Sequence, residues 1–439
     1  MPDQLPVPEK LVIQGNRRLN GVVHIAGAKN SVLKLMAAAL LTPQKVIITN
    51  VPQLSDVTVM LEVLRQLGCK AEQDGSRLSI DASELTSHTA PYEFVRKMRA
   101  SFNVLGGLLG RLGQAKVSLP GGCSIGKRNI DLHVKGLIAL GADVEISHGY
   151  VEASAKKLIG AEILLDTPSV GATENIMLAA VLAEGVTTIS NAAQEPEIVD
   201  LANFLNTIGA DISGSGTNEI VINGVNPSQM RGTEYPVMPD RIEAATYLIA
   251  GAAAGGKVTV ENVIPAHIAS LTHKLVEMGA EITSPTPNSL CIEVTKRLIA
   301  QNIVTQPYPG FPTDLQAPFM TLLTLADGVS IVKETIYENR FKQVGELKRM
   351  GADIQVERDV AVINGVEQLS GAQVNAHDLR AGAAMVIAGL MAQGQTEIYD
   401  LIHLDRGYEF LVEKLQGIGA EITRVPSDRA LTPSDELVG

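Results

Sequence analysis

Apolar residues recur along this chain on two periods, and the two alternate. Stretches such as Leu271, Leu275 and Met278, with apolar positions three and four apart, predict amphipathic helices. Stretches of strict apolar–polar alternation, such as Ala280-Glu281-Ile282, predict strands. Between the helix and the strand stands a phrase that repeats. It reads Leu140-Gly141-Ala142-Asp143-Val144, Ile208-Gly209-Ala210-Asp211-Ile212, Met278-Gly279-Ala280-Glu281-Ile282, Met350-Gly351-Ala352-Asp353-Ile354 and Ile418-Gly419-Ala420-Glu421-Ile422. A worn first copy is Leu67-Gly68-Cys69-Lys70-Ala71. The phrases lie roughly 70 residues apart, the mark of a repeated structural unit. A glycine just past the last apolar turn can take the left-handed conformation that ends a helix.

Upstream of each phrase lies a second kind of helix, built of small and almost wholly apolar residues. These span 28–41, 98–112, 170–183, 241–254, 314–326 and 379–392. A helix apolar on most sides is buried, and its alanines and glycines let its backbone lie close to neighbours. Strands follow at 46–50, 116–119, 187–191, 258–262, 329–333 and 396–399. The unit is therefore strand, buried helix, strand, exposed helix and two strands. Helical crossovers join parallel strands, so the class is α/β. Three units packed around their buried helices make one domain, and six make two.

Length agrees, since 439 residues exceed what one core usually serves. Apolar residues at 45% suffice for two cores, and with only 3% aromatics the packing must rest on Ala, Val, Ile, Leu and Met. The net charge of −12 argues against nucleic acid and against anionic membranes as partners. An anionic ligand would need a local basic pocket. The start MPDQLPVPEK lacks the basic head and apolar core of a signal peptide. No apolar run approaches the roughly 20 residues that span a bilayer, and the three cysteines are scattered. A cytoplasmic protein is expected, with a disordered polar tail over 425–439.

Whatever breaks the sixfold pattern is a candidate for function. The best-marked break is the glycine-rich loop Leu119-Pro120-Gly121-Gly122-Cys123-Ser124-Ile125-Gly126-Lys127-Arg128, which reads as mobile over 119–129. Cys69 fills an alanine slot of the repeat and Cys291 lies in an alternating strand, so both read as core. Cys123 has no such slot. Lys127, Arg128 and His133 follow it, and nearby cations raise thiolate reactivity. The loop also nearly matches a phosphate-binding G-x-x-x-x-G-K-[ST], but Arg128 stands where the metal-binding hydroxyl belongs. A second set of breaks lies at helix starts: Lys29, Asn30, Arg99, Asp240, Arg241, Asp314 and Arg380, with Arg340 and Arg406 at similar places on the exposed helices. Helix N-termini favour anions, so cations gathered there need a reason. Convergence on a phosphate or carboxylate supplies one. The eight histidines show no metal-ligand spacing, and no G-x-S-x-G nucleophile motif occurs.

The runs Gly27-Ala28-Lys29-Asn30, Lys97-Met98-Arg99-Ala100-Ser101, Pro120–Gly126, Asp131-Leu132-His133, Ser169-Val170-Gly171-Ala172-Thr173, Glu195–Asp200, Met238–Glu243, Phe311-Pro312-Thr313-Asp314, Glu338-Asn339-Arg340-Phe341, Asp378-Leu379-Arg380-Ala381 and Asp405-Arg406-Gly407-Tyr408 together resemble the UDP-N-acetylglucosamine enolpyruvyl (1-carboxyvinyl) transferases. The resemblance runs in order from about Leu11 to Arg424. It implies the enolpyruvyl transferase fold: two inside-out α/β domains of three repeated units each, facing across a cleft. One would span 29–238, the other 1–28 with 239–424. It implies transfer of enolpyruvyl from phosphoenolpyruvate to the 3-hydroxyl of UDP-N-acetylglucosamine, without metal or other cofactor, as the first committed step of peptidoglycan synthesis. By the same resemblance, Cys123 is the proton donor and the residue alkylated by fosfomycin, and Asp314 is the general base. Lys29, Arg128 and Arg406 hold phosphoenolpyruvate. Asn30, Arg99, Arg128, Asn129, Ile130, Asp131, Leu132, Ser169, Val170, Gly171, Asp314 and Ile336 contact the UDP-sugar, with Arg340 and Arg380 also among the substrate-binding residues. Asn129 departs from a proline common in the family, and Thr167-Pro168 from a lysine and valine of some members.

Two alternatives stand beside this reading. The sister enzyme that makes 5-enolpyruvylshikimate 3-phosphate shares the fold but lacks the loop cysteine. A DNA-encircling clamp also repeats α/β units, but needs helices lined with Lys and Arg.

Overall fold

The computed structural model describes residues 8–95, 98–119 and 130–429. The chain falls into two compact units, one formed by 8–26 with 239–429 and the other by the described part of 27–238. It passes from one unit to the other at Ala26–Gly27 and again at Met238–Pro239. Among the described residues no helix is long and apolar enough to cross a membrane.

Each unit holds three four-stranded sheets with one shared order. Val186–Ser190 pairs in parallel with Glu162–Leu164 and antiparallel with Glu219–Asn223, which in turn pairs antiparallel with Asp211–Ser213. Only one of these three pairings is parallel, so the sheets are mixed where helical crossovers alone imply parallel ones. In the first five repeats the strand after the phrase folds straight back as a hairpin. In the second repeat, Asp143–Ser147 returns as Tyr150–Ser154 through His148 and Gly149, both at positive φ (50° and 80°). Those angles match the primed turns that fit the strand twist.

Both units close on themselves through distant strands. Glu234–Pro236 adds in parallel to Val46–Thr49. Glu9–Gln14 lies between Gln395–Tyr399 and Glu421–Pro426, antiparallel to both. That second pairing corrects the expected tail: residues 425–429 are ordered, because Pro426 pairs with Glu9, Lys10 binds Asp428 at 2.9 Å, and the Arg429 guanidinium stacks 3.7 Å above the Tyr399 ring. Residues 430–439 lie outside the described residues.

The small apolar helices are the cores. Lys29–Ala38, Val104–Leu112 and Val170–Ala180 are buried in one unit, and Arg241–Ala254, Gln316–Leu323 and Leu379–Met391 in the other. Glycines in Val104–Leu112 set their spacing. A Cβ on Gly106 would sit 2.3 Å from the Asn175 carbonyl oxygen, and one on Gly107 2.9 Å from that of Ala37. No side chain fits at that approach, so all three backbones meet there. The six phrase glycines take φ between 88° and 113° at the ends of the outer helices. The outer helices are less exposed than the pattern suggests: Pro196–Thr207 buries most of its length, including Glu197 and Asp200. Cys69 and Cys291 are both buried.

Candidate functional site

The predicted residues are divided between the two units, and the structure brings some of them into contact in each. In the unit of 239–429, two buried helices begin with aspartate N-caps. Asp240 accepts hydrogen bonds from the backbone N–H groups of Ile242 and Glu243, and Asp378 from those of Arg380 and Ala381. Each cap puts a negative charge on the helix end. That offsets the presence of Arg241 and Arg380 at positions a cation disfavours. In sequence Asp378 stood out only as the first residue of the run Asp378-Leu379-Arg380-Ala381.

Asp314 sits in the short turn Thr313–Leu315 ahead of Gln316–Leu323. Its two carboxylate oxygens are held separately. Arg340 donates to Oδ1 at 2.5 Å and Arg380 to Oδ2 at 2.8 Å. Both guanidiniums are nearly sealed from solvent, with side chains 4% and 9% exposed against 27% for Asp314. Burial opposes the Arg380 charge, but the Asp314 carboxylate more than restores it, so the guanidinium is held above its usual range. Arg380 also donates to the Tyr408 hydroxyl at 3.2 Å, which meets the Thr246 hydroxyl at 3.1 Å.

Glu334 is a residue the sequence reading missed. Buried, it accepts from the Thr313 hydroxyl at 3.0 Å, the Thr305 hydroxyl at 2.9 Å, and the backbone N–H groups of Ile336 and Tyr337. One carboxylate thereby ties the Asp314 turn to the Ile336 segment. Arg406 stands on a turn that Arg424 anchors by a bidentate bond to Asp405, both contacts 2.8 Å.

In the unit of 27–238, Lys29 pairs with Asp56 at 2.7 Å, and the neighbouring Ser31 donates to Asp200. Ser169 caps the helix Val170–Ala180. Ile130, Asp131 and Leu132 open the next outer helix, Asp131–Ala139, whose His133 ring edge lies against Gly171. The structure therefore brings the 130–132 stretch beside the 169–171 turn. A Cβ on Gly171 would come within 3.2 Å of His133 Nε2, so glycine is what permits the contact. Cys123, Arg128 and Asn129, with Lys127 and the rest of the glycine-rich loop, lie outside the described residues, as does Lys97.

His133 corrects its expected role as a cation. It is buried, and burial, with Arg99 and Lys34 nearby, pushes its pKa down to about 3. The ring is neutral. Its Nδ1 faces the Asn175 amide nitrogen at 2.9 Å, and the Asn175 oxygen is fixed by the Gly106 N–H at 2.8 Å. The amide nitrogen can only donate, so Nδ1 accepts and the ring proton resides on Nε2. Between pH 6.5 and about 3 the unfolded chain binds a proton here and the folded chain does not. Stability should therefore fall on acidification, by up to ~1.4 kcal/mol per pH unit from this group. Urea midpoints against pH should show a shallower slope for His133→Gln; equal slopes would refute the assignment.

The family profile described as EPSP synthase (3-phosphoshikimate 1-carboxyvinyltransferase) matches residues 13–415. The chain belongs to this carboxyvinyltransferase family. Two relatives bear the name UDP-N-acetylglucosamine 1-carboxyvinyltransferase. One, numbered 1, from Caldanaerobacter subterraneus subsp. tengcongensis, is 54% identical over 94% of this chain and 99% of its own. The other, numbered 2, from Carboxydothermus hydrogenoformans, is 56% identical over 95% of this chain and 99% of its own. Among solved structures, the enolpyruvyl transferase NikO from Streptomyces tendae aligns at a TM-score of 0.87 and 26% identity, covering 96% of this chain and 100% of its own. EPSP synthase from Acinetobacter baumannii aligns at 0.74 and 19%, covering 95% and 100%, which speaks for the fold alone. The carboxyvinyltransferase fold thus accounts for both units and all six repeats.

Proposed function

We infer that the protein transfers the enolpyruvyl group of phosphoenolpyruvate to the 3-hydroxyl of UDP-N-acetylglucosamine and releases inorganic phosphate, the first committed step of peptidoglycan synthesis. The observation that carries the inference is identity above one half, over nearly the whole chain, with carboxyvinyltransferases of that name. The reading includes a cytoplasmic location.

The reaction is an addition followed by an elimination. The sugar hydroxyl loses its proton and its oxygen bonds to C2 of phosphoenolpyruvate, while C3 gains a proton and becomes a methyl group. C3 of this tetrahedral intermediate then gives up a proton, the C2–O bond to phosphate breaks, and the double bond returns. In this reading Asp314 takes the hydroxyl proton. Its partial exposure leaves it open to a substrate, and two guanidiniums hold it in place. Cys123 supplies the proton to C3. Lys29, Arg128 and Arg406 hold the phosphate and carboxylate of phosphoenolpyruvate, and Arg340 and Arg380 orient Asp314. The UDP-sugar is held by Asn30, Arg99, the stretch 128–132, Ser169, Val170, Gly171 and Ile336. Several cations suit phosphoenolpyruvate, which concentrates negative charge on few atoms.

The test is phosphate release from phosphoenolpyruvate with and without UDP-N-acetylglucosamine. Release that depends on the nucleotide sugar supports the reading. Release that depends on shikimate 3-phosphate instead would replace it with the sister reaction. Fosfomycin gives a second check. Cys69 is buried with its thiol pushed up to about 12, and Cys291 is buried too, so neither offers an accessible thiolate. Cys123→Ala is therefore expected to abolish the covalent mass shift, and persistent labelling would place the reactive thiol elsewhere.

A further inference from the structure

A continuous chain of buried polar side chains runs through the unit of 27–238. Lys34 donates to Glu174 Oε1 at 2.9 Å, and Asn103 donates to Glu174 Oε2 at 2.7 Å. Asn175 donates to Asn103 Oδ1 at 3.1 Å and to His133 Nδ1 at 2.9 Å. All five residues are buried, Glu174 and Asn175 completely. Burying so many polar groups is costly unless every one is satisfied, and here the partners close on one another.

The placement of the five is what points to a role. Lys34 belongs to Lys29–Ala38, Asn103 to the turn Arg99–Asn103, His133 to Asp131–Ala139, and Glu174 and Asn175 to Val170–Ala180. These are the four segments whose opening residues include Asn30, Arg99, Asp131 and the Ser169–Gly171 turn. Apolar packing could join four helices, but it tolerates small slides. A chain of directed hydrogen bonds fixes the offset of each segment against the next.

We propose that this buried chain is a positioning network for the nucleotide sugar, holding the four segments so that the groups at their starts converge on one ligand, with Asn175 as its central member. The proposal rests on the function inferred above. None of the five residues needs to touch the ligand. Their effect is transmitted through the backbone of the segment starts and, at the far end, through the His133 edge packed on Gly171.

Asn175→Asp tests it at nearly constant volume. The new carboxylate still accepts from Gly106 but cannot donate to Asn103 or His133, so His133 must shift its proton to Nδ1 or bind a second one. The expected result is about a tenfold weaker Kd for UDP-N-acetylglucosamine by calorimetry, a clearly smaller change in the KM for phosphoenolpyruvate at saturating sugar, since of its binders only Lys29 opens one of the four segments, and a shifted His133 ring ¹⁵N signal. An unchanged Kd beside a shifted His133 signal would overturn the network, as would equal losses for both substrates. A second variant guards against poor folding of the first. Lys34→Met combined with Glu174→Met replaces a buried ion pair by apolar volume, a change that is often neutral for stability. It removes the far anchor and, with it, the Asn103 acceptor, so a several-fold weaker Kd is expected from protein that circular dichroism shows to be folded, with a Tm only modestly lowered; an unaltered Kd would overturn the proposal. If the unmodified protein itself fails to bind UDP-N-acetylglucosamine, the functional reading falls, and the network proposal with it.

Discussion

Asp314→Asn is expected to lose about 10²–10⁴-fold in turnover while still binding UDP-N-acetylglucosamine, the range typical for removing a positioned base. Asparagine is the informative choice because of what surrounds the carboxylate. Arg340 and Arg380 both end on Asp314, and their side chains are almost fully buried. An alanine would strip two buried guanidiniums of their carboxylate, leaving Arg380 only the Tyr408 hydroxyl, and breaking such a pair costs about 3–5 kcal/mol. Lost activity could then be lost structure. The asparagine carbonyl still accepts one of the two hydrogen bonds, and the amide cannot take the sugar proton. Phosphate release under saturating substrates, with calorimetric binding of the sugar nucleotide, reads the two effects separately. Near-normal turnover would strip Asp314 of its role.

Glu174→Ala should produce the largest stability loss, about 3–5 kcal/mol, against the 5–15 kcal/mol that hold most domains together. Glu174 is completely buried and is the counter-charge for Lys34, whose side chain is only 11% exposed. Burial pushes the Glu174 pKa up, while Lys34 and Asn103 pull it back. Deleting the carboxylate strands the Lys34 ammonium and removes the Asn103 acceptor together. Denaturation of the single variant beside the double replacement Lys34→Met with Glu174→Met would separate the stranded charge from the lost packing. A single variant as stable as the double would show that Lys34 finds another partner or sheds its proton.

Much of this molecule could be read from local pattern. The phrase around Gly209 or Gly351 marks a helix end and a strand start wherever it stands, because a left-handed cap is a property of a few adjacent residues. Buried helices such as Arg241–Ala254 show through composition, since only a helix with no solvent face can be so uniformly small and apolar. Family motifs marked Asp314, Arg340 and Arg380 as site residues without saying that the three meet. Sheet pairing was less legible. The hairpin at His148-Gly149 makes the sheets mixed, and no helical period reports that. The tail to Arg429 looked free because its polar residues have partners, Lys10, Asn375 and Tyr399, that lie far away in the chain.

By itself, then, the sequence determined the six repeats, because each phrase rests on a few adjacent residues, and the family, because its motifs run in order along nearly the whole chain. Tertiary structure decided which polar groups meet. His133 is neutral because burial, not its neighbours in sequence, sets its charge state. Glu334 gathers Thr305, Thr313 and Ile336, and Glu174 gathers Lys34 and Asn103, across separations no local pattern records. The free energy of a buried charge depends on the low-dielectric surroundings that exist only once the chain has folded.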